Sequence, residues 1–252
     1  MPIKKRLVAA LACRNQGSRL YGKPLQNLDV KNGVRILDNI LDCLETIDCI
    51  DEIVLGISEG VENDVYKDIA AKRGLRYVIG DPLDVLSRLI KSGQLGGATD
   101  IFRVTSESPF LYFEPVEELW HRHQSEEADA TFMDHVIDGC GFEIVSLKAL
   151  EESHRKGSRK HRSELCTLYI REHTQDFKLI KASAPKKLIR SDLRLTVDNP
   201  EDLVVCRTIY GAFERMAPRI PVLSIVDFLD ANNELIKLIS PFTDAGYSTM
   251  YQ

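Results

Sequence analysis

The 252-residue sequence lacks an excess of positive charge, paired cysteines and long apolar runs. Its 33 Lys and Arg residues are outnumbered by 38 Asp and Glu residues, whereas a dedicated nucleic-acid binder usually needs net positive charge to displace counterions from phosphates. The apolar run near the start, residues 7–13, is far shorter than the roughly 20 residues that cross a bilayer. We therefore expect a small-molecule ligand, and neither a nucleic acid nor a membrane as a partner.

Six cysteines are scattered without a CxxC pair, and no signal peptide precedes the first apolar segment. We therefore expect reduced thiols in a cytoplasmic protein. With 44% hydrophobic and 28% charged residues, the composition is that of an ordinary folded protein and excludes a largely disordered one. We expect a single domain over residues 1–239, followed by a C-terminal tail, 240–252.

Short apolar segments alternate with amphipathic ones, most regularly in the first half of the chain. The short segments have the length of strands buried on both faces. They are residues 7–13, 52–58, 76–79, 101–105, 130–133, 142–146, 177–182 and 193–197. Helices are predicted at 34–46, 61–73, 84–91, 199–216 and 224–239. This alternation indicates βαβ units, so we predict an α/β fold, a Rossmann-like three-layer sandwich with a mixed, mostly parallel sheet.

The loop after the first predicted strand is where a ligand of such a sheet is expected. Between Arg14 and Lys23 it carries two glycines, three cations and a serine hydroxyl. Backbone amides and basic side chains of this kind can hold a phosphate. The alternative is a solvated basic loop.

Two common nucleotide-binding motifs are excluded in this loop. Gly17, Gly22 and Lys23 have the spacing of a P-loop, but Pro24 stands where Ser or Thr would bind magnesium. Proline also cannot occupy the middle of the P-loop helix. No GxGxxG follows the strand, which disfavours a dehydrogenase.

The loop resembles the signature loop of the cytidylyltransferases that activate sugars. Arg14, Ser18-Arg19-Leu20 and Gly22-Lys23-Pro24-Leu25 carry the match. Further matches follow in the family's order at residues 51–55, 80–88, 103–109, 141–146, Glu164 with 167–170, and 193–203. Over about residues 8–239 the chain thus resembles the acylneuraminate and 3-deoxy-manno-octulosonate cytidylyltransferase superfamily. Within it, the resemblance is closest to the spore coat polysaccharide biosynthesis cytidylyltransferase-like proteins.

The resemblance implies a nucleotidyltransferase domain of the glycosyltransferase A type that binds a nucleoside triphosphate, usually CTP. An acceptor oxygen would attack the α-phosphorus and pyrophosphate would leave. By analogy, the catalytic residues are Lys23, Arg14 and Arg19. The implied nucleotide-binding residues are Ala12, Arg14, Ser18, Arg19, Lys23, Asp84, Arg88 and Ser106, and the implied acceptor-binding residues are Glu143, Arg162 and Glu164. Asp84 and Arg88 lie one helical turn apart, so an exposed ion pair is the alternative for these two.

Two acids at predicted strand ends, Glu107 and Asp198, are the implied ligands of Mg²⁺, which prefers carboxylate, phosphate and water oxygens. Glu107 departs from the family, whose members usually carry Asp in a Gly-Asp-Cys-Pro or similar sequence. Two more departures are Gly141, where an acid is common, and Leu165, which replaces a frequent His. These departures leave open a different acceptor or a damaged metal site.

Other candidates are less specific. His121 and His123 lie two residues apart in a helical stretch, so they make a poor metal pair, and we expect both at the surface. Arg190 and Arg194 flank the last predicted strand and are further candidates for acceptor contact.

We therefore expect a Mg²⁺-dependent cytidylyltransferase that transfers CMP from CTP to a sugar, sugar acid or related acidic metabolite for surface glycan biosynthesis. A homodimer is implied by family analogy. The alternative is a nucleotide-binding sensor or partner protein with a degenerate metal site and no turnover.

Overall fold

The computed structural model describes residues 4–17 and 19–250, with the side chains described as far as residue 244. Within these residues the chain forms nine strands and nine α-helices. The strands are β1 (Leu7–Cys13), β2 (Asn27–Asp29), β3 (Val34–Arg35), β4 (Glu52–Ser58), β5 (Arg76–Gly80), β6 (Asp100–Arg103), β7 (Ala130–His135), β8 (Glu143–Ser146) and β9 (Leu179–Ser183). The helices are α1 (Ile36–Glu45), α2 (Val65–Arg73), α3 (Val85–Gly96), α4 (Val116–Ser125), α5 (Leu147–Lys156), α6 (Leu168–Glu172), α7 (Pro200–Phe213), α8 (Val222–Ala231) and α9 (Asn233–Met250).

Seven strands of the described chain form one sheet in the order β5-β4-β1-β6-β8-β7-β9. Strands β4, β5 and β6 run parallel to β1, β8 runs antiparallel to both of its neighbours, and β9 pairs in parallel with β7. The remaining strands, β2 and β3, form a small antiparallel hairpin. The prediction of a mixed, mostly parallel sheet is confirmed.

The sheet lies between two helical layers, each with its own hydrophobic core. Along β1, Leu7 and Leu11 pack into the core beneath α1, α2, α4, α7 and α8, whereas Val8 and Ala10 pack into the core beneath α3, α5 and α6. Successive side chains of a strand point to opposite faces, so a strand buried on both faces must be apolar throughout. This explains why β1 is an unbroken apolar segment.

The predicted strand at 193–197 is wrong. In the structure this segment makes one isolated bridge, between Asp138 and Arg194, and belongs to no strand. Leu193, Leu195 and Val197 are nevertheless fully buried in the core. The alternation that predicted a strand therefore records burial of every second side chain rather than strand pairing.

Several predicted helices have different bounds in the structure. The helix predicted at 34–46 begins at Ile36, because the two preceding residues pair with β2. The helix predicted at 61–73 is a 3-10 turn followed by α2. The helix predicted at 224–239 is divided into α8 and α9, and α9 continues through most of the predicted tail. No described helix combines the length and the apolar character required to span a membrane.

The prediction that both His121 and His123 lie at the surface is wrong for His123. Its side chain is fully buried between α4 and the sheet. The Nε2 atom lies 3.0 Å from Asp100 Oδ1, and Nδ1 lies 2.8 Å from Thr131 Oγ1. His121 is exposed, because two residues turn a helix through about 200° and bring the two side chains to nearly opposite sides.

Candidate active site

A cavity of about 490 Å³ opens at the carboxyl ends of the parallel strands. Five segments surround it: the loop after β1, the start of α3, the end of β6 with the residues after it, the connection between β7 and β8, and residues 163–165. Ligands of open α/β sheets bind at this edge, where the strand order also reverses around β1. The cavity is therefore the candidate active site.

The basic loop after β1 is a defined structure that forms one wall of this cavity. Gly22 has φ +60°, a conformation that favours glycine, and its N–H donates to the Asn15 carbonyl at 2.9 Å. Pro24 lies in the first turn of a 3-10 helix, Lys23–Leu25, where its missing N–H costs no hydrogen bond. The alternative of a merely solvated loop does not fit this ordered turn.

Residues of the neighbouring βα unit hold the loop in place. Asn15 is buried, and its backbone N–H donates to Asn63 Oδ1 at 2.8 Å. Its side-chain oxygen accepts from the Tyr66 hydroxyl at 2.8 Å, and its side-chain N–H donates to the Glu62 carbonyl. The sequence analysis missed Asn15, Asn63 and Tyr66 because their contacts join segments about 50 residues apart.

The cations assigned from the family resemblance lie at the cavity. Lys23 Nζ lies 2.5 Å from Asp198 Oδ1, and Arg19 Nη2 lies 3.2 Å from the same oxygen. Arg14 Nη2 lies 3.2 Å from Glu164 Oε2, across the cavity. Ser18, the remaining residue assigned in this loop, lies outside the described residues.

The two acids predicted as metal ligands are neighbours in the structure. The Val197 N–H donates to the Glu107 carbonyl at 3.1 Å, and both Glu107 and Asp198 line the cavity. Burial raises the pKa of Glu107, an effect that the charge of Lys23 only partly offsets. Burial alone would also raise the pKa of Asp198, but the hydrogen bond and charge of Lys23, with Arg19 and Arg194, lower it.

This pair of acids is compatible with magnesium. Among the described residues there is no cluster of three or more His, Cys, Asp or Glu that could hold a metal ion. Mg²⁺ commonly takes only one or two carboxylates and completes its shell with substrate phosphates and water. Glu107 and Asp198, beside a basic phosphate loop, supply that kind of donor set.

Residues predicted near the base and ribose are partly brought to the cavity. Arg88 is 1% exposed and lines the cavity, and its Nη1 donates to the carbonyls of Cys13 and Gly56 at 3.3 and 3.0 Å. Asp84 caps α3 by accepting from the Ser87 N–H. The alternative of an exposed pair between Asp84 and Arg88 is wrong, because the arginine is buried in the sheet.

Asp84 does not line the cavity, and its second oxygen lies 2.7 Å from His154 Nε2 on α5. Ala12 and Ser106, in contrast, both line the cavity. The Ser106 hydroxyl donates to the Ala12 carbonyl at 2.9 Å, which joins the ends of β1 and β6. Ala12 and Ser106 are therefore placed together, whereas Asp84 lies behind them.

Glu143, predicted to bind the acceptor, lines the cavity but is held by cations. Its Oε2 accepts from Arg103 at 2.7 Å, and its Oε1 accepts from Arg171 at 2.8 Å and from Thr167 at 2.7 Å. Burial would raise its pKa, but the charges and hydrogen bonds of Arg103 and Arg171, with the Thr167 hydroxyl, lower it to about 2. Glu143 therefore fixes the cavity wall as a permanent anion.

The other residues considered for the acceptor differ in placement. Glu164 is exposed and lines the cavity, whereas Arg162 lies outside the lining and donates to the His154 carbonyl at 3.0 Å. Arg190 pairs with Asp192 and Asp230 at the surface. The structure thus brings Glu164 to the site and leaves Arg162 and Arg190 away from it.

Two charged residues of the lining were given no role by sequence reasoning. Arg103 ends β6 and donates to Glu143 and, at 2.8 Å, to the Glu164 carbonyl. Asp138 is buried, and this burial raises its pKa to about 6 although Arg194 lowers it. Arg103 stands inside the matched segment 103–109, which is the signal that pointed to it.

Comparison with known proteins supports the sequence resemblance. No family model matches the chain. The chain is 24% identical to an uncharacterized protein of Methanocaldococcus jannaschii over 243 residues, which are 96% of this chain and 98% of that protein. It is 26% identical over 184 residues to the spore coat polysaccharide biosynthesis protein SpsF of Bacillus subtilis, covering 72% of this chain and 76% of SpsF. The predicted resemblance to spore coat polysaccharide proteins is confirmed.

Solved structures show the same fold. A cytidylyltransferase from Leptospira borgpetersenii superimposes with a TM-score of 0.80 at 19% identity, over 92% of this chain and 96% of that one. CMP:2-keto-3-deoxy-manno-octonic acid synthetase, solved with CTP, gives 0.59 at 12% identity, over 82% and 99%. Rv0371c of Mycobacterium tuberculosis, solved with manganese, gives 0.57 at 13% identity, over 81% and 99%. The chain thus has a nucleotidyltransferase fold, as predicted, and cytidylyltransferases are among the structures it resembles.

Proposed function

We propose that this protein is a cytidylyltransferase, which transfers CMP from CTP to a sugar or sugar acid and releases pyrophosphate. The observation that carries the proposal is the ordered basic loop, whose Lys23 and Arg19 meet the Asp198 carboxylate at the carboxyl edge of the sheet. The resemblance to SpsF and to a structure solved with CTP supports the choice of class.

The reaction asks the protein mainly for positioning and charge neutralisation. An oxygen of the acceptor forms a bond to the α-phosphorus, the bond from that phosphorus to the bridging oxygen breaks, and pyrophosphate leaves with the electron pair. Arg14, Arg19 and Lys23 surround the space for the triphosphate, and Lys23 is placed to stabilise the charge on the departing pyrophosphate. The proton of the acceptor hydroxyl passes to solvent or to a carboxylate of the cavity.

Base and ribose lie, in this proposal, against the segment formed by Ala12, Arg88 and Ser106. Arg88 presents a buried guanidinium whose Nε has no hydrogen-bond partner within the described chain. A buried donor without a partner is costly, so a ligand acceptor such as a pyrimidine carbonyl would relieve that cost. Asp84 takes part indirectly, as the cap of α3.

A divalent cation, magnesium by proposal, would be held by Glu107 and Asp198. When bound, it supplies positive charge beside the phosphates. Because Lys23 and Arg19 pair with Asp198 in the present structure, their turn toward the triphosphate would accompany its loading.

The acceptor would enter from the side of Glu164 and the connection between β7 and β8, beside the wall fixed by Glu143. We place the protein in the cytoplasm, as a homodimer acting in surface glycan biosynthesis. Six free cysteines agree with a reducing compartment. The likeness to SpsF supports the glycan role.

The proposal is tested by pyrophosphate release from CTP and Mg²⁺ with a panel of sugars and sugar acids, alongside calorimetric titration of CTP. Lys23→Met should lower turnover by a factor of about 10² or more, the usual effect of removing one electrostatic contact to a transition state. Lys31→Met is the matched control, because Lys31 is exposed on the turn between β2 and β3. CTP binding without turnover of any acceptor would favour the non-catalytic alternative, and absence of CTP binding would refute the proposal.

A further inference from the structure

Arg194 is a buried cation directly behind the cavity. Its side chain is 1% exposed, and Arg88 is the other arginine among the largest fully buried side chains. Arg194 is not part of the cavity lining, so it cannot reach an acceptor as the sequence analysis considered. Burying a charge is costly unless it is paired, which makes its partners the point of interest.

Three carboxylates surround the Arg194 guanidinium. Its Nη2 donates to Asp198 Oδ2 at 2.7 Å. Its Nε lies 3.7 Å from Asp138 Oδ2 and 3.6 Å from Asp202 Oδ1, and within the described chain neither this Nε nor this Oδ1 makes a hydrogen bond. The short contact is therefore the one to Asp198, whereas Asp138 and Asp202 balance the charge from a greater distance.

Asp202 fixes the backbone of the same residue. Its Oδ2 accepts from the N–H groups of Asp198 and Asn199 at 3.0 and 2.8 Å, as part of the capping box that begins α7. Asp198 is thus held twice, through its backbone by Asp202 and through its side chain by Arg194. The helix start and the buried arginine together set the direction of this carboxylate.

The two oxygens of Asp198 have different partners. Oδ2 faces Arg194, which is buried and cannot move away, whereas Oδ1 faces Lys23 and Arg19, whose side chains are 19% and 51% exposed. Lys23 and Arg19 belong to the loop proposed to hold the triphosphate. When they turn to phosphate, Oδ1 is released while Oδ2 stays fixed.

We propose that Arg194 is a positioning residue that fixes Asp198 Oδ2 so that Oδ1 is presented to the metal ion accompanying the nucleotide. The inference rests on the proposed function. A planar guanidinium holds a carboxylate in a set direction, which the single rotatable ammonium of lysine does not. Residues that orient a metal ligand typically change metal affinity by about 10–100-fold when mutated.

A purely structural role is the competing explanation, because Arg194 Nη1 also donates to the Phe242 carbonyl of α9 at 3.3 Å. Arg194→Lys separates the two roles, since it keeps the charge and most of the volume but loses the fork. Arg194→Met removes the charge as well. Arg190→Lys is the matched control: Arg190 is an arginine of the same segment, it pairs with Asp192 and Asp230, and it lies away from the cavity.

The experiment is calorimetric titration of CTP in the presence and absence of Mg²⁺, with thermal unfolding of each variant. The readout is the ratio of the two dissociation constants, which reports the contribution of the metal. In Arg194→Lys we expect the metal-free constant to stay within about threefold of wild type and the Mg²⁺ enhancement to fall by about tenfold or more. Arg190→Lys should keep both, and Arg194→Met should lose the enhancement to at least the same extent if it folds.

Each outcome decides the inference. An unchanged Mg²⁺ enhancement in Arg194→Lys overturns it, and a lowered melting temperature beside that result assigns Arg194 a structural role. An equal loss of metal-free and metal-dependent affinity also overturns it, because Arg194 would then act on the whole loop. If wild type binds CTP with Mg²⁺ enhancement, only the role of Arg194 has failed; if wild type binds no CTP, the proposed function fails and this inference with it.

Discussion

Replacing Glu143 by Gln should destabilise the protein strongly, because this buried carboxylate joins two arginines behind the cavity. The Glu143 side chain is 6% exposed, and those of Arg103 and Arg171 are 16% and 14% exposed. Arg171 keeps a bidentate pair with Asp134 at 2.7 and 2.8 Å, and Arg103 keeps the Glu164 carbonyl. The loss therefore falls at the lower end of the ~3–5 kcal/mol typical of a broken buried pair.

The pKa of Glu143 gives an independent magnitude. It is about 2 in the folded protein, against 4.5 in the absence of these contacts. At about 1.4 kcal/mol per pKa unit, the difference corresponds to ~3 kcal/mol of stability, in agreement with the first figure. Because the folded pKa is the lower one, this stability is fully present above about pH 4.5 and is lost as the pH falls toward 2.

Urea unfolding of wild type and Glu143→Gln at several pH values between 7 and 3 measures both effects. Glu143→Gln should lower the free energy of unfolding by ~3 kcal/mol at pH 7, and the difference from wild type should shrink as the pH falls. Glu164→Gln is the control, because its exposed pair with Arg14 should contribute less than ~1 kcal/mol. A loss below ~1 kcal/mol for Glu143→Gln, or a difference independent of pH, would refute the reasoning.

Three further outcomes are expected. Burial raises the pKa of Cys13 to about 12, so alkylation at pH 8 should leave it unmodified until the protein is unfolded, as peptide mass analysis will show. Gly139 has φ +91°, and a Cβ there would lie 2.5 Å from Thr196 N, so Gly139→Ala should lower the melting temperature clearly more than Gly74→Ala, whose Cβ meets nothing within 4 Å. Glu107→Asp should leave metal-free CTP affinity unchanged in calorimetry, because the substitution keeps the charge; a large change would place Glu107 against the nucleotide itself.

The fold was predictable where the pattern of buried residues is repetitive. Strand β1 is apolar throughout because both faces are covered, and α7 begins at an Asn-Pro-Glu-Asp sequence whose capping box the structure contains. Segment 193–197 has the same apolar alternation but no strand partner beyond one bridge. Periodicity reports which side chains are buried, whereas strand pairing depends on distant segments.

The candidate site was predictable in its loop and less so around it. The cations of the loop are adjacent in sequence, and one motif located them. The contact of Arg103 with Glu143 and that of Tyr66 with Asn15 join residues 40 and 51 positions apart, so no local spacing encodes them. Arg88 was predicted at the site, but its burial in the sheet follows from the packing of α3 rather than from its position one turn after Asp84.

The central claim is that the cavity binds CTP together with a divalent cation. Thermal unfolding of the pure protein with CTP, UTP, GTP, ATP and dTTP, each with and without Mg²⁺, tests it most directly, because a ligand that binds only the folded state stabilises that state by mass action. At about 100 times the dissociation constant the stabilisation is ~2.7 kcal/mol, or roughly 5–10 °C for a chain of this size. We predict the largest shift with CTP and a further increase with Mg²⁺. No shift with any of the five nucleotides would contradict the account.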